Sequence, residues 1–174
     1  RDDGHRGWDL WIQKDRVGVH LIYTWPQNFL KVVARNPLQK NKWTHVFVTY
    51  DGSSKASGVR IYFDGVAQDL EVEGDLLTNT IRTSTSLKLG RRNTGQGFIN
   101  GGLQNFRFYA CELSAEEVRD LSKNGVIREL LAIEGSKRTP KQNETLLRHY
   151  LEQEDKSYRD LKTRIGALET ERTE

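Results

Sequence analysis

Several things are scarce in this sequence, and each absence narrows the class of protein. Cys111 is the single cysteine, so no disulfide can form within the chain. The mean hydropathy is −0.71, and no run approaches the ~20 consecutive apolar residues that a spanning helix needs. We therefore expect no membrane insertion. Four Trp, six Tyr and six Phe among 174 residues argue equally against a disordered chain.

An excess of charge of one sign is also missing. The chain has 27 Lys and Arg against 24 Asp and Glu, and the segment from residue 136 onward has nine Lys or Arg against eight Asp or Glu. A nucleic-acid binder is expected to be strongly basic, so nucleic acid is not an expected partner. The chain begins at Arg1 and has no Met, so we expect it to be a piece of a larger protein. The lack of a signal peptide in this piece therefore says nothing about the compartment of the protein.

Helical periodicity is absent before residue 113, and the pattern there is strand and turn. The runs are rich in β-branched and aromatic residues and are bounded by Gly, Asn, Asp and Pro. Short strands without intervening helices predict an antiparallel sandwich or barrel. The predicted strands are 7–12, 17–25, 29–34, 43–50, 59–63, 66–72, 87–89 and 103–109.

Turn chemistry supports this prediction. Asp64-Gly65 lies between GVRIYF and VAQDLEV, which predicts a tight hairpin, because a type I′ turn needs positive φ at both central residues. Asp51-Gly52 opens the loop DGSSKASG, whose Ser, Lys and Gly content predicts an exposed connection.

Two helices are predicted after the strands. Ser114 and Glu117 form a capping box, and Gly125 is a candidate stop, so a short closing helix is expected at about 114–124. Thr139, followed by Pro140 and Gln142, predicts the start of a charged helical tail. The tail carries apolar heptad positions at Leu147, Leu151, Tyr158, Leu161, Ile165 and Leu168.

The heptad pattern of the tail is interrupted once. Glu154 occupies a seam position, so the tail is one long helix or two helices that break near Asp155. A seam this narrow must pack on the sandwich, on itself as a hairpin, or on another chain. We favour self-association slightly, because a long charged helix with a narrow seam suits a coiled coil.

A family resemblance rests on four stretches in order along the chain. They are WTHVFVTYDGSSKASGVRIYFDGV (43–66), LKLGRR (87–92), FINGGLQNFRFY (98–109) and LSAEEVRDL (113–121). Together they resemble a LamG-like domain of the concanavalin A-like jelly-roll kind. The resemblance implies a mainly β, antiparallel jelly-roll sandwich over 1–135, without the first strands of the native domain. Residues 136–174 then form a coiled-coil-like tail or interdomain linker.

A narrower resemblance rests on GWDLWI (7–12), VHLIYTWPQNFLKV (19–32) and the tail sequence. These stretches resemble the LamG-like segment of large planctomycete exported proteins that also carry a cytochrome-c-like domain. The resemblance implies a periplasmic or extracellular protein in which the tail joins neighbouring domains.

Calcium is the ion that the family resemblance suggests. Asp51, Asp64 and Asp75 lie at turns where a rim site could form, and Ca²⁺ takes six to eight oxygen ligands. The alternative is that each aspartate only forms its turn, since the chain has no D-x-D-x-D-G loop. Gln104 and Asn105 also stand where the family often has acidic residues.

Catalysis is not expected. Glu71, Glu73 and Asp75 have the i, i+2 spacing that places carboxylates on one strand face, and glycosidases need two carboxylates about the scissile bond. The order of these acids, however, is not the E-x-D-x-x-E of concanavalin-like glucanases, so a solvated strand face is favoured over a glycoside hydrolase. The four histidines have no metal-ligand spacing. His45 alternates with Trp43 and Phe47, so we expect a hydrogen-bonded core histidine or a half-buried one.

Aromatic residues give the positive indication of a ligand. Trp8, Trp11, Tyr23 and Trp25 cluster in the first quarter of the chain, and sugar rings stack on exposed Trp faces. Trp8 and Trp11 must face opposite sides of a strand. The hypotheses are a non-catalytic module that binds carbohydrate or protein, and a structural spacer in which these aromatics only pack.

Overall fold

The computed structural model describes residues 5–91 and 97–173, and it confirms a mainly β fold followed by helices. The chain divides into two compact units, Arg1–Val118 and Arg119–Glu174. The division of domains at residue 135 stays a prediction. The strands are β1 Gly7–Gln13, β2 Arg16–Thr24, β3 Asn28–Ala34, β4 Val46–Tyr50, β5 Val59–Phe63, β6 Val66–Ala67 and β7 Leu70–Asp75.

The strands form two antiparallel sheets. The first sheet has the order β1-β2-β3-β7 and the second has the order β4-β5-β6. Apolar side chains of both sheets meet in one core, which makes the first unit the expected sandwich. The buried core residues are Val17, Val19, Leu21, Leu30, Val32 and Ala34 from the first sheet, Val59 and Ile61 from the second, and Ala56 and Leu77 from loops.

The Asp64-Gly65 hairpin is confirmed. Asp64 and Gly65 have φ values of 49° and 79°, as a type I′ turn requires, and Phe63 pairs with Val66. The predicted strand 66–72 is divided, however. β6 ends at Ala67 and stays with β5, whereas β7 pairs with β3 in the first sheet, so the chain changes sheets at Gln68-Asp69.

Two predicted strands, 87–89 and 103–109, are not strands in the described residues. Asn100 and Asn105 have φ values of 55° and 56°, and left-handed residues interrupt an extended run. Within the described ranges this region contains one isolated bridge, Arg91 to Gly97. These segments have a high β-propensity but no neighbouring strand to pair with in the described residues. Propensity reflects a fit to neighbouring strands rather than an intrinsic backbone preference, so it does not produce a strand by itself.

The closing helix, α1, is longer than predicted. Ser114 and Glu117 form the capping box, but the helix spans Ala115–Ala132 and passes through Gly125. A helical Gly costs roughly 1 kcal/mol relative to Ala, and the good helix formers at 128–132 continue the helix beyond it. The guanidinium of Arg138 then donates to the carbonyls of Leu130, Leu131 and Ile133 at the end of the helix.

The tail consists of two helices, α2 Pro140–Gln153 and α3 Lys156–Thr173. The Thr139–Gln142 capping box is present, and the predicted break falls at Asp155, whose carboxylate accepts from the backbone N–H of Tyr158. Lys162 pairs with Glu152 across the break at 2.7 Å. Among the described helices, none is long and apolar enough to cross a membrane.

Candidate functional site

The outward side of the first sheet carries a cluster of aromatic and charged residues that we call the outer face. Core residues alternate with outward residues along β2, so His20 points away from the core that Val19 and Leu21 enter. Strand pairing places Asp9 and Lys31 on either side of His20. The outer face is defined by Asp9, Trp11, Arg16, His20, Trp25, Lys31, Glu71 and Glu73.

Trp11 lies across the centre of this face. Its ring is parallel to that of His20, with 3.9 Å between centroids and 6° between planes. Trp11 pairs with Gly18 on β2, and a Cβ at Gly18 would lie 2.3 Å from Cη2 of the indole. The absence of a side chain at Gly18 therefore lets the indole lie close to the sheet, where it remains partly exposed.

Trp25 borders the same face from the loop after β2. Its ring lies edge-on to His20 at 5.7 Å between centroids and contacts Phe29 at 4.4 Å. The ring of Phe29 in turn covers Gly74, where an added Cβ would lie 2.2 Å from it. Trp25 is 39% exposed, so the face presents two indoles with a nearly buried imidazole between them.

Charged groups surround the indoles, and each forms a short contact. Nδ1 of His20 donates to Oδ1 of Asp9 at 2.8 Å. Lys31 pairs with Glu73 at 2.5 Å, and its Nζ lies 5.3 Å from the centroid of the Trp11 ring, within the range of a cation–π contact. A register shift between Lys31 and Val32 lies beside this pair.

A second ion pair borders the face on the side of β7. Arg16 donates to Oε2 of Glu71 at 2.6 Å and to the carbonyl of Ala34 at 2.8 Å. The hydrogen bond from Arg16 lowers the pKa of Glu71 from its usual value, and the charge of the guanidinium acts in the same direction. Glu71 therefore stays an anion through the neutral range.

The four aromatic residues singled out from the sequence separate into two pairs. Trp11 and Trp25 lie on the outer face, as described. Trp8 faces the other side of the sheet, 5.4 Å from Phe108, and Tyr23 packs against the core with Arg6 4.1 Å from its ring centroid. Trp8 is nevertheless 40% exposed, although it contributes nothing to the outer face.

The three acids of β7 do not assemble as a catalytic pair. Glu71 and Glu73 lie on the outer face, each beside its own cation. Asp75 pairs with the core residue Leu30 beyond the register shift, and its Oδ1 accepts from the backbone N–H of Ala56 at 2.8 Å. Glycoside hydrolysis needs two carboxyl groups facing each other across a sugar bond, whereas these three are held by separate partners.

The three candidate calcium ligands are likewise held by separate partners. Asp51 accepts from the N–H of Ser53, and Asp64 accepts from the N–H of His45 and pairs with Lys42. Asp75 holds the N–H of Ala56. In the part of the chain that the structure describes, no three His, Cys, Asp or Glu side chains come together as a metal site. The calcium site stays an untested prediction.

Sequence reasoning missed His20, Asp9 and Lys31 as members of a site. Nε2 of His20 is buried and has no hydrogen-bond partner within the described residues, which is uncommon for a buried polar atom. These residues come together through the strand register, since residues paired across β1, β2 and β3 share a face, and no local motif of the sequence marks that register.

Two shallow, open depressions occur elsewhere in the first unit. One, of about 450 Å³, is lined by Asp51, Arg60 and Glu112 among others. The other, of about 390 Å³, adjoins Asp75 and Val72. Neither is lined by the indoles of the outer face. Sugar rings stack on flat aromatic surfaces, which enclose no volume, and neither depression offers such a surface.

The architecture defines an antiparallel β-sandwich with an aromatic outer face, and comparison with known proteins gives the family. Residues 1–119 match the family described as the concanavalin A-like lectin/glucanases superfamily. The chain belongs to this superfamily, which confirms the LamG-like resemblance and the concanavalin A-like fold class. The planctomycete resemblance stays a prediction.

Two further comparisons give little more. No protein of curated function matches the chain at a significant level. Among solved structures, an S-layer domain-containing protein (residues 221–444) from Clostridium thermocellum is similar, with 17% identity and a TM-score of 0.36. The match covers 70% of this chain and 59% of that one.

Proposed function

We propose that the sandwich is a non-catalytic module that binds a glycan on its outer face and belongs to an exported multidomain protein. The observation that carries this proposal is the pair of indoles, Trp11 and Trp25, arranged around His20 on one face of the sheet. Aromatic rings present a negative face, which attracts the polarised C–H groups on the flat side of a sugar ring.

The contacts of the outer face support a glycan more than an apolar ligand. Asp9, Lys31 and Glu73 place carboxylate and ammonium groups beside the indoles, and these groups can accept from and donate to sugar hydroxyls. Ligand sites commonly combine an apolar surface with a few polar groups that fix orientation. His20, which is nearly buried between the indoles, holds the Trp11 ring parallel to itself.

Two further arguments concern catalysis and location. The pairing of Glu71 with Arg16 and of Glu73 with Lys31 supports a binding role, because a general acid needs a raised pKa and the pKa of Glu71 is lowered. Export is supported by the resemblance described above. In that context the tail would connect the sandwich to a neighbouring domain.

A binding experiment with matched tryptophan variants tests the proposal. The chain is screened on a glycan array, and affinities are then measured by calorimetry for Trp25→Ala and for Trp43→Ala. Trp43 is 67% exposed but lies off the outer face, so it is the control. We expect Trp25→Ala to weaken binding at least tenfold, about 1.4 kcal/mol, and Trp43→Ala to leave it unchanged.

Two outcomes would contradict the proposal. Binding to no glycan on the array would favour the structural spacer. Release of reducing sugar from a β-glucan, abolished by Glu73→Gln, would show a glycoside hydrolase instead of a binding module.

A further inference from the structure

We infer that the outer face selects uncharged glycans and excludes anionic ones, such as sulfated or uronate-rich chains; this inference rests on the proposed function. The argument comes from how its charges are paired. The two cations of the face, Lys31 and Arg16, are each joined to a glutamate, Glu73 and Glu71.

The pairing already neutralises the two cations that would attract an anionic glycan. Sulfate and carboxylate groups are recognised by arginine and lysine through charge-assisted hydrogen bonds. Here the Nζ of Lys31 lies 2.5 Å from Glu73, and Arg16 donates to Glu71 and to a backbone carbonyl. An arriving anion would have to displace a glutamate that is already in place.

The carboxylates of the face act in the same direction. Asp9, Glu71 and Glu73 lie beside the indoles, and Arg35 is a further cation whose charge acts on Glu71. Like charges brought together across an interface cost affinity. Hydroxyl groups carry no such penalty, and carboxylates accept hydrogen bonds from them readily.

The selectivity of the face therefore depends on its two glutamates. Replacing both, in Glu71→Gln with Glu73→Gln, keeps the side-chain shape but releases Lys31 and Arg16 from their ion pairs. The outer face then has two available cations and one carboxylate. The same indoles should accept an anionic chain in this variant.

The experiment measures binding of the full chain to xylan, a mixed-linkage β-glucan, heparin and polygalacturonate at low and at high salt. We expect the wild type to bind a neutral glycan at least tenfold more tightly than either polyanion, with little dependence on salt. In the double variant we expect the ratio of polyanion to neutral affinity to rise at least tenfold, in a manner that salt suppresses.

Two controls keep the result specific to the outer face. Glu152→Gln releases Lys162 from a 2.7 Å ion pair in the tail, so it frees a cation elsewhere and should leave the ratio unchanged. Adding Trp25→Ala to the double variant should remove the gain. Thermal unfolding of each variant verifies that it is folded.

The possible failures are distinguishable. A wild type that binds heparin or polygalacturonate more tightly than the neutral glycans, and loses that binding in Trp25→Ala, overturns the selectivity but keeps the proposed function. A double variant that gains no affinity for polyanions also overturns the selectivity. Binding to none of the four probes counts against the inference and the proposed function together.

Discussion

The indole of Trp11 and the imidazole of His20 lie parallel, 3.9 Å apart between centroids, on adjacent strands of the first sheet. Their residues are not directly paired, since Trp11 pairs with Gly18 and His20 pairs with Asp9. The indole therefore reaches diagonally across Gly18 to meet the imidazole. Diagonal contacts of this kind are within reach of large side chains on one face of a sheet.

This diagonal contact predicts the effect of a side chain at Gly18. A Cβ there would lie within 2.6 Å of three atoms of the Trp11 ring, so Gly18→Val must displace the indole. We expect destabilisation of about 1–3 kcal/mol, the usual cost of overpacking, and weaker glycan binding. Chemical denaturation measures the first effect and calorimetry the second.

A glycine without neighbours provides the control for Gly18. Gly166 lies in α3 and has no atom within 4 Å of an added Cβ, so Gly166→Ala should stabilise its helix by about 1 kcal/mol and leave binding unchanged. A Gly18→Val chain with unchanged stability and unchanged Trp fluorescence would contradict the position of the Trp11 ring.

The hairpin at Asp64-Gly65 gives a second prediction. Gly65 has a φ of 79°, which β-branched residues resist, so Gly65→Val should destabilise the sandwich by about 1 kcal/mol or more. The measurement is the free energy of unfolding in urea. Gly65→Asn is the matched comparison, because Asn tolerates left-handed backbone, and it should cost clearly less. Equal losses in both variants would argue against the turn geometry.

The sandwich and this hairpin could be predicted from the sequence because their signals are local. Asp-Gly at a turn and the β-branched and aromatic residues of β2 and β3 each depend on a few neighbouring positions. The outer face depends instead on register. The turn between β1 and β2 is Lys14-Asp15, with φ values of 52° and 62°, and it lacks the Gly that marks such turns. The pairing of Asp9 with His20 was therefore not predicted.

The predicted strand at 103–109 was wrong for a related reason. Phe106 and Phe108 alternate with Asn105 and Arg107, which suggests a strand, but Asn105 adopts a positive φ in the middle of the run. Asn is one of the residues that tolerate this conformation, so the sequence permitted both outcomes. Which of them occurs depends on whether a neighbouring strand supplies a ladder.

The half-buried His45 gives a prediction about pH. Burial lowers the pKa of His45; the charge of Asp64 opposes this shift and that of Arg107 adds to it. The unfolded chain, with a histidine pKa of about 6.5, therefore binds a proton more readily than the folded chain. Stability is complete above about pH 6.5 and decreases as the pH falls from there toward the folded pKa.

The experiment compares melting temperatures between about pH 7.5 and 5.5, where most carboxylates remain ionised. The wild type should lose more thermal stability over this range than His45→Asn, which cannot take up the proton. Nδ1 of His45 is buried without a hydrogen-bond partner in the described residues, so the substitution removes no hydrogen bond of that atom. Identical pH profiles for the two chains would show that His45 titrates as it does in the unfolded state.

The helical tail gives the last prediction. In α2 and α3 the seam residues Leu147, Leu161, Ile165 and Leu168 are each more than half exposed. Most helix stability in proteins comes from packing, so we expect this seam to pair with a second copy of the chain. Multi-angle light scattering should show a mass that rises with concentration, and Leu161→Gln with Ile165→Gln should return it to that of a monomer.

A polar substitution outside the seam tests whether the loss of self-association comes from the seam or from added polarity anywhere on α3. Lys162 and Thr163 lie between the two seam positions in sequence but on other sides of α3, so Thr163→Gln is the matched control and should keep the self-association. A monomer at all concentrations in the unsubstituted chain would show that the seam does not pair with a second copy. The other predicted roles of the tail, packing on the sandwich or joining it to another domain, would then remain.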